Sequence, residues 1–239
     1  QAYLKNLYQE FGVEKVLSAL KKHWSLEQAF NYFVKSKKHI VKKENIKTIA
    51  VYYTKINNGG VERVTASLIN QWIKQGYRVI LFTSQEASPY DFKYDKSAKR
   101  YVIPPMRHME DRLIALKKIC IEEKVDVYIN NLWLIEYSLW EIILLNELGI
   151  PYITHVHGMF DFIFNFPPIR YLQPNLCRLS DAVVALSEAS QTFYKELGCN
   201  AFVINNPTPS DLLNKPRCNI DSKHLLLIGR VTFGKRPLD

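Results

Sequence analysis

Short apolar runs alternate with amphipathic stretches from Lys47 onward, and this alternation constrains the fold more than any other feature of the sequence. The apolar runs are residues 48–53, 78–83, 100–103, 125–130, 151–156, 182–186 and 201–205. The amphipathic stretches between most of them are residues 61–75, 109–123, 135–148, 169–179 and 188–197. Strands that are apolar on both faces and separated by helices form parallel sheets covered on both sides. The sequence therefore predicts an α/β fold, a Rossmann-like doubly wound parallel sheet with right-handed crossovers.

The segments on either side of this region have a different character. Residues 1–36 carry three helical apolar patterns, the third of which opens with a capping box at Ser25. We therefore predict a helical extension and Lys-rich linker over residues 1–46 and a Rossmann-like domain over 47–209. Residues 210–239 read as an interdomain linker and the first strand of another domain. Because one strand cannot form a domain, we expect the chain to be part of a longer protein.

The net charge of +9 is unevenly distributed and argues against a nucleic-acid partner. Residues 1–47 hold ten lysines and four glutamates, and the excess is concentrated from Lys35 to Lys47. A nucleic-acid surface would need Arg and aromatic residues spread over the folded body. The basic stretch is either a solvated linker or a segment attracted to an anionic membrane surface.

The sequence also bears on compartment and on covalent or metal cross-links. It contains no apolar run of the roughly 20 residues that span a bilayer, and its start lacks the layout of a signal peptide. We therefore predict a cytoplasmic protein. The four cysteines lie far apart without C-x-x-C spacing, which predicts reduced thiols and no zinc site or disulfide framework.

A glycine pair follows the first apolar run. Gly59 and Gly60 lie just before a predicted helix that includes Arg63. Glycines here let the backbone approach a ligand, and a helix start offers free N–H groups to a phosphate or sugar oxygen. The pattern matches neither the G-x-G-x-x-G fingerprint nor a Walker loop, and an ordinary strand-to-helix turn is the alternative.

Two histidines close the fifth apolar run. His155 and His157 would share a face if the strand continues to Gly158. Since spacing indicates no third ligand, we predict no metal site. His157 is predicted to form hydrogen bonds at a ligand cleft, whereas His155 reads as a core histidine.

Two further places carry polar residues after apolar runs. Ser187 and Glu188 open a predicted helix, with Ser187 as its N-cap, and capping alone could explain the pair. Arg230 and Lys235 follow the last apolar run, and two such cations can neutralise a diphosphate. A solvated surface is the alternative for that pair.

Taken together, these loops resemble the GT-B glycosyltransferases, in particular the retaining family that includes lipopolysaccharide glucosyltransferases and phosphatidylinositol mannosyltransferases. The resemblance rests on the segments NGGVERV (58–64), PYITHVHG (151–158), SDAVVALSEAS (180–190), VINNP (203–207) and LLLIGRVTFGKRP (225–237). It covers about residues 47–239. It implies an acceptor-side domain followed by the first strand of a donor-side domain, with a nucleotide-diphosphate sugar as donor and no obligatory metal or other cofactor.

The resemblance also assigns roles to individual residues. It implies that Gly59, Gly60 and Arg63 lie near the donor phosphates and the acceptor, and that Ser187 and Glu188 belong to the same binding region. His157 matches the catalytic histidine that contacts the transferred sugar. Arg230 and Lys235 match the cations that hold the diphosphate.

The sequence departs from the family pattern in three ways. The glutamate pair with seven-residue spacing that grips the nucleotide ribose and the sugar is absent, helices 1–36 lie outside the pattern, and Arg236 stands where many members have Gly. We expect this chain by itself to be inactive.

We interpret the full protein as a hexosyltransferase that serves bacterial surface polysaccharide synthesis and acts on a glycan or glycolipid at the inner membrane face. The alternatives are a non-catalytic module that docks a partner through its helical extension, and a nucleotide-sugar epimerase or phosphorylase of the same fold.

Overall fold

A computed structural model describes residues 45–135, 138–158 and 172–208. The chain divides into two compact units after Asn206, and all but the last two described residues belong to the first unit. The predicted helices of residues 1–36, the predicted final strand and the last predicted cations lie outside the described residues. Within the described ranges, no helix combines the length and apolar character needed to cross a membrane.

The strands of the described region follow the predicted apolar runs closely. They are β1 (Thr48–Tyr52), β2 (Arg78–Thr83), β3 (Lys99–Val102), β4 (Val127–Asn130), β5 (Tyr152–His155), β6 (Ala182–Ala185) and β7 (Ala201–Val203). β1 is buried along its whole length, and all but the first residue of β2 is buried. Apolar, β-branched and aromatic residues fill the central strands because these are covered on both faces, whereas the edge strands β3 and β7 keep exposed residues.

Helices occupy the predicted amphipathic stretches. They are α1 (Gly60–Lys74), α2 (Met109–Glu122), α3 (Ser138–Glu147), α4 (Leu172–Leu179) and α5 (Glu188–Glu196). Gly149 and Gly198 follow α3 and α5 with φ of 67° and 82°. This left-handed conformation ends a helix and favours glycine, which explains why both helices stop where they do.

All seven strands of the described region form one parallel sheet in the order β3-β2-β1-β4-β5-β6-β7. β1 pairs with β2 on one side and with β4 on the other, so the strand order reverses direction at β1 and β4. The doubly wound Rossmann-like prediction is confirmed. In such sheets, ligands bind beyond the carboxyl ends of the strands at this reversal.

Two apolar clusters hold the helices onto the sheet. One joins Tyr52, Phe82 and Tyr128 to α2 and α3, through residues such as Leu116 and Leu144. The other packs α1 against the opposite face.

That second cluster includes Val51, Ile69 and Leu81. Three of the four cysteines, Cys120, Cys177 and Cys199, are buried free thiols among the described residues.

A buried ion pair crosses the larger cluster. Arg112 of α2 and Glu141 of α3 are fully buried and bonded to each other. The Arg112 guanidinium also lies over the Tyr52 ring, 4.3 Å from its centroid, and donates 2.7 Å and 3.3 Å hydrogen bonds to the Pro104 carbonyl and the Ser84 hydroxyl. One side chain thus links α2 and α3 to the carboxyl end of β1 and to the chain following β2 and β3.

Candidate functional site

The predicted site residues of the described region gather at one edge of the sheet. Because β1, β5 and β6 are parallel, the loops that follow them all leave from the same edge. These loops contain Gly59, His157 and Ser187 respectively. Among the described strands only β4 lies between β1 and β5, so the loop after β4 lies between the glycine turn and the histidines.

The glycine turn has an ordered conformation. Asn57 forms an antiparallel bridge with Asp91, and its side-chain amide donates a 3.3 Å hydrogen bond to the Asp91 carboxylate. Asn58 follows with φ of 64°, and Gly59 is the extended N-cap residue of α1. Gly59 supplies no side chain to cap α1, so the first N–H groups of α1 lack the partner that an N-cap side chain would give them.

An ion pair between Asp91 and Arg100 stabilises the glycine turn. The Asp91 carboxylate accepts a 2.5 Å hydrogen bond from Arg100 and a 3.2 Å bond from the Ser88 N–H. Although partial burial opposes it, these bonds and the Arg100 charge lower the pKa of Asp91, so that the carboxylate stays ionised. The Asn57 side chain is therefore fixed by an acceptor that is charged at neutral pH.

Glu62 is a member of this turn that sequence reasoning did not single out. Its residue is only 6% exposed although it carries a carboxylate. That carboxylate lies directly against Gly59, where any side chain would overlap it. The neighbouring Arg63 is exposed and its guanidinium lies 5.5 Å from the centroid of the Phe92 ring.

The loop after β4 joins α1 to the reversal point of the sheet. Asn131 is 2% exposed, and its N–H donates a 3.1 Å bond to the Tyr52 carbonyl at the end of β1. Its side-chain amide donates a 2.8 Å bond to the Thr65 hydroxyl, which in turn donates to the Val61 carbonyl. The side-chain oxygen of Asn131 is buried and accepts no hydrogen bond from the described residues.

The same loop also contacts the histidine segment. A Cβ placed on Gly158 would lie 2.8 Å from Cζ2 of Trp133. The indole therefore occupies the space that a side chain at position 158 would need. Glycine is required here by close approach, because no other residue leaves room for the indole.

The two histidines lie side by side, as their predicted shared face requires. Their ring centroids are 3.9 Å apart with an angle of 42° between the planes. The Val156 N–H donates to the Val184 carbonyl, which extends the pairing of β5 with β6 past His155. Both ring nitrogens of His157 and Nε2 of His155 are buried without a hydrogen-bond partner among the described residues.

Burial keeps both imidazoles uncharged. It lowers the pKa of His155 from its usual 6.5 to about 4. Burial and then the neighbouring His155 lower the pKa of His157 to about 3. At neutral pH the pair therefore offers neutral donors and acceptors, and not cations, to anything that enters from the edge of the sheet.

The loop after β6 has the predicted capped start. Ser187 is extended, and its hydroxyl accepts a 3.3 Å bond from the Ser190 N–H, which confirms it as the N-cap of α5. Glu188 is exposed in the first turn. Whether either residue also binds a ligand stays a prediction, as do the ligand roles of Gly59, Gly60 and Arg63.

The remaining predicted site residues, Arg230 and Lys235, lie outside the described residues. Over residues 45–135, 138–158 and 172–208, no group of three or more His, Cys, Asp or Glu side chains could hold a metal ion.

Three residues of the site were not predicted from the sequence, namely Glu62, Asn131 and Trp133. The Asn130–Asn131 pair could have been found by treating the fourth apolar run like the others, since polar residues at the carboxyl end of a buried strand mark a ligand edge. Glu62 and Trp133 give no such signal, because their importance comes from contacts with glycines.

Comparison with known proteins gives a consistent picture. Residues 58–212 match the profile of Glycosyltransferase Family 4. An uncharacterized glycosyltransferase of Haemophilus influenzae is 25% identical over 180 residues, which are 72% of this chain and 50% of that protein. This chain thus spans about half the length of that curated relative.

Solved structures share the fold at lower identity. HepE of Anabaena, crystallised with UDP and glucose, aligns with a TM-score of 0.52 and 16% identity over 70% of this chain and 46% of its own. The lipopolysaccharide outer core galactosyltransferase WaaB aligns with a TM-score of 0.51 and 14% identity, over 68% of this chain and 46% of its own. These likenesses agree with the GT-B type of fold.

Proposed function

The chain belongs to Glycosyltransferase Family 4, and we propose that the whole protein transfers a hexose from a nucleotide-diphosphate sugar to a hydroxyl of a glycan or glycolipid. We further propose that the transfer retains the anomeric configuration and serves bacterial surface polysaccharide synthesis. The observation that carries the proposal is the family match over residues 58–212, which includes the glycine turn, the histidine pair and the capped α5 at one sheet edge. The structurally similar HepE was crystallised with UDP and glucose, which supports the proposal of a nucleotide-sugar donor.

The described sheet would supply the acceptor-side half of such an enzyme. Since the chain covers about half of each relative, we propose that activity needs a complete donor-side domain as well, and that residues 1–239 are inactive alone. In that arrangement Arg230 and Lys235 hold the diphosphate and stabilise its charge as the bond to the sugar breaks. Gly59, Gly60 and Arg63 lie toward the donor and acceptor.

The proposed role of His157 follows from its neutral state. A sugar that leaves its diphosphate develops positive charge at the anomeric carbon, and an imidazolium would repel that charge. The lowered pKa of His157 keeps the ring uncharged, and its unpartnered nitrogens are free to accept or donate a hydrogen bond with a sugar hydroxyl. The backbone carbonyl of the same residue is a second acceptor.

We also propose that the protein is cytoplasmic and works at the inner membrane face. A glycolipid acceptor would be held there, and the basic stretch from Lys35 to Lys47 could add about 1 kcal/mol of attraction to an anionic surface per residue. Liposome flotation with and without anionic lipid tests this attachment. Equal recovery in the two preparations removes it from the proposal.

The donor is tested with the full-length protein. We expect it to bind a uridine, guanosine or adenosine diphosphate-hexose in calorimetry, and Arg230→Ala to weaken that binding about 10- to 100-fold, the effect of losing hydrogen bonds to a charged group. Unchanged affinity in Arg230→Ala refutes the assignment of this residue. Failure of the wild-type protein to bind any donor refutes the proposed function and favours the docking module.

The histidine is tested by separating turnover from binding. We expect His157→Ala to lower kcat about a hundredfold, with a smaller loss in donor affinity. His108→Ala is the matched control, because His108 is exposed at the start of α2. Equal losses of turnover and donor affinity contradict the proposed role.

A further inference from the structure

The carboxylate side chain of Glu62 is largely buried and has no ion-pair partner among the described residues. The residue is 6% exposed, and none of the hydrogen bonds or salt bridges of the described residues involves its carboxylate. Burying a carboxylate costs free energy unless a donor satisfies it. A carboxylate on a mostly buried residue at a ligand edge, with no partner among the described residues, is therefore explained best by a donor that arrives with a ligand.

The position of the carboxylate narrows the class of ligand. Glu62 is in the first turn of α1, and its carboxyl group lies over Gly59 at the positive end of the helix. A negative side chain there balances the partial positive charge of the helix and repels a second anion. A phosphate group is therefore a poor direct partner for the carboxylate, whereas a hydroxyl group can donate a hydrogen bond to it.

A second acceptor is attached to the same face of α1. Asn131 bonds to the Thr65 hydroxyl at 2.8 Å, and Thr65 lies three residues after Glu62, which places the two on one side of the helix. The side-chain oxygen of Asn131 is buried and accepts no hydrogen bond from the described residues. Two unpaired oxygen acceptors on one helix face suit a ligand with several hydroxyl groups.

We propose that Glu62 binds a sugar hydroxyl, of either the donor sugar or the acceptor sugar, beside the glycine turn. This inference rests on the proposed glycosyltransferase function. It makes Glu62 a residue that sets sugar specificity, with Gly59 leaving the space that its carboxylate occupies.

The test compares Glu62→Gln with the wild-type full-length protein, using the nucleotide sugar that the wild-type protein accepts and the matching free nucleoside diphosphate. Gln keeps the shape and one oxygen but removes the charge. We expect unchanged affinity for the free nucleoside diphosphate and about tenfold weaker binding of the sugar that Glu62 contacts. If the donor sugar supplies the hydroxyl, affinity for the nucleotide sugar falls; if the acceptor supplies it, acceptor KM rises while donor affinity holds.

Glu110→Gln is the matched control, because Glu110 is an exposed carboxylate in the first turn of α2. It should change none of these constants. Glu62→Asp, which keeps the charge but withdraws it by one methylene, replaces Glu62→Gln if that variant does not fold, and should show the same sugar-specific loss.

Three results overturn the inference. Tighter binding of the free nucleoside diphosphate by Glu62→Gln would mean that the carboxylate occupies a phosphate position. Unchanged affinity for both sugars, or equal losses for the nucleoside diphosphate and for the nucleotide sugar, would leave Glu62 a structural residue. Since the donor screen of the wild-type protein is read separately, a wild-type protein that binds no nucleotide sugar overturns the proposed function first and this inference with it.

Discussion

The imidazole of His157 lies against that of His155, with ring centroids 3.9 Å apart, at the carboxyl end of β5. Both rings are held neutral by burial, and each would gain a charged neighbour if the other were protonated. The pair therefore couples the state of the candidate site to pH.

We expect the protein to lose stability as pH falls below about 6.5. The unfolded histidines take up protons near pH 6.5, whereas the folded ones do so only near 4 for His155 and 3 for His157. The unfolded state binds more protons between these values, so the free energy of unfolding is retained above pH 6.5 and falls by about 1.4 kcal/mol per pH unit for each histidine below it. Urea denaturation between pH 7.5 and 5 measures the slope.

Replacing one histidine checks the origin of that slope. His155→Asn should flatten it relative to the wild-type protein over the same range. His108→Asn, at an exposed histidine, should leave it unchanged. A wild-type slope that survives His155→Asn in full would assign the pH dependence to other groups.

The buried Arg112–Glu141 ion pair predicts that a single substitution lowers the free energy of unfolding more than the double substitution does. Glu141→Leu leaves the fully buried Arg112 without its partner and should cost about 3–5 kcal/mol of unfolding free energy. The double variant Arg112→Met, Glu141→Leu removes both charges and should recover much of that loss. Chemical denaturation of the three proteins measures it.

An exposed ion pair serves as the control for this comparison. Lys118 and Glu122 lie 3.9 Å apart on α2, with both side chains more than half exposed. Glu122→Gln should change the unfolding free energy by less than about 1 kcal/mol. A double variant of the buried pair that is as unstable as Glu141→Leu would contradict the asymmetry.

The contact between Gly158 and Trp133 predicts a cost for the smallest side chain. Gly158→Ala places a methyl group 2.8 Å from the indole, so the loop after β4 or the histidine segment must shift, at about 1–3 kcal/mol. Gly60→Ala is the control for stability, because a Cβ there meets nothing within 4 Å. Equal unfolding free energies for the two variants would show that Trp133 does not fill this space.

The strands were predictable because each is a short apolar run bounded by polar or turn residues, and the structure mainly trims their ends. The run that starts at Val125 shows why. Asp126 lies just before β4, and its carboxylate accepts 2.9 Å bonds from the N–H groups of Lys47 and Thr48, which ties it to the start of β1. That role depends on β1 and β4 being neighbours, which local patterns do not encode.

The parts of the candidate site that lie within one loop were predictable from the sequence. The contacts between two separate segments were not. Gly59 and His157 stand out locally, because each follows an apolar run at the edge of the sheet where ligands bind. Asn131 acts through Thr65, 66 positions earlier, and Trp133 acts through Gly158. Such contacts depend on which strands are neighbours in the sheet. The periodicity of the sequence predicts the strands but not their order.

The contact of Gly59 with Glu62 predicts a double-mutant cycle whose outcome depends on a single pair of groups. Gly59 has φ of −146° and ψ of 170°, an extended conformation that alanine adopts freely, so Gly59→Ala introduces no backbone strain. Its added methyl group would instead displace the Glu62 carboxylate. We expect Gly59→Ala to reproduce the sugar-specific loss of Glu62→Ala, and to have little further effect once Glu62 is alanine, because its target is gone. Sugar affinity of the wild-type protein, the two single variants and the double variant gives the coupling, and strictly additive losses would show that Gly59 acts by another route, such as direct approach of its backbone to the ligand.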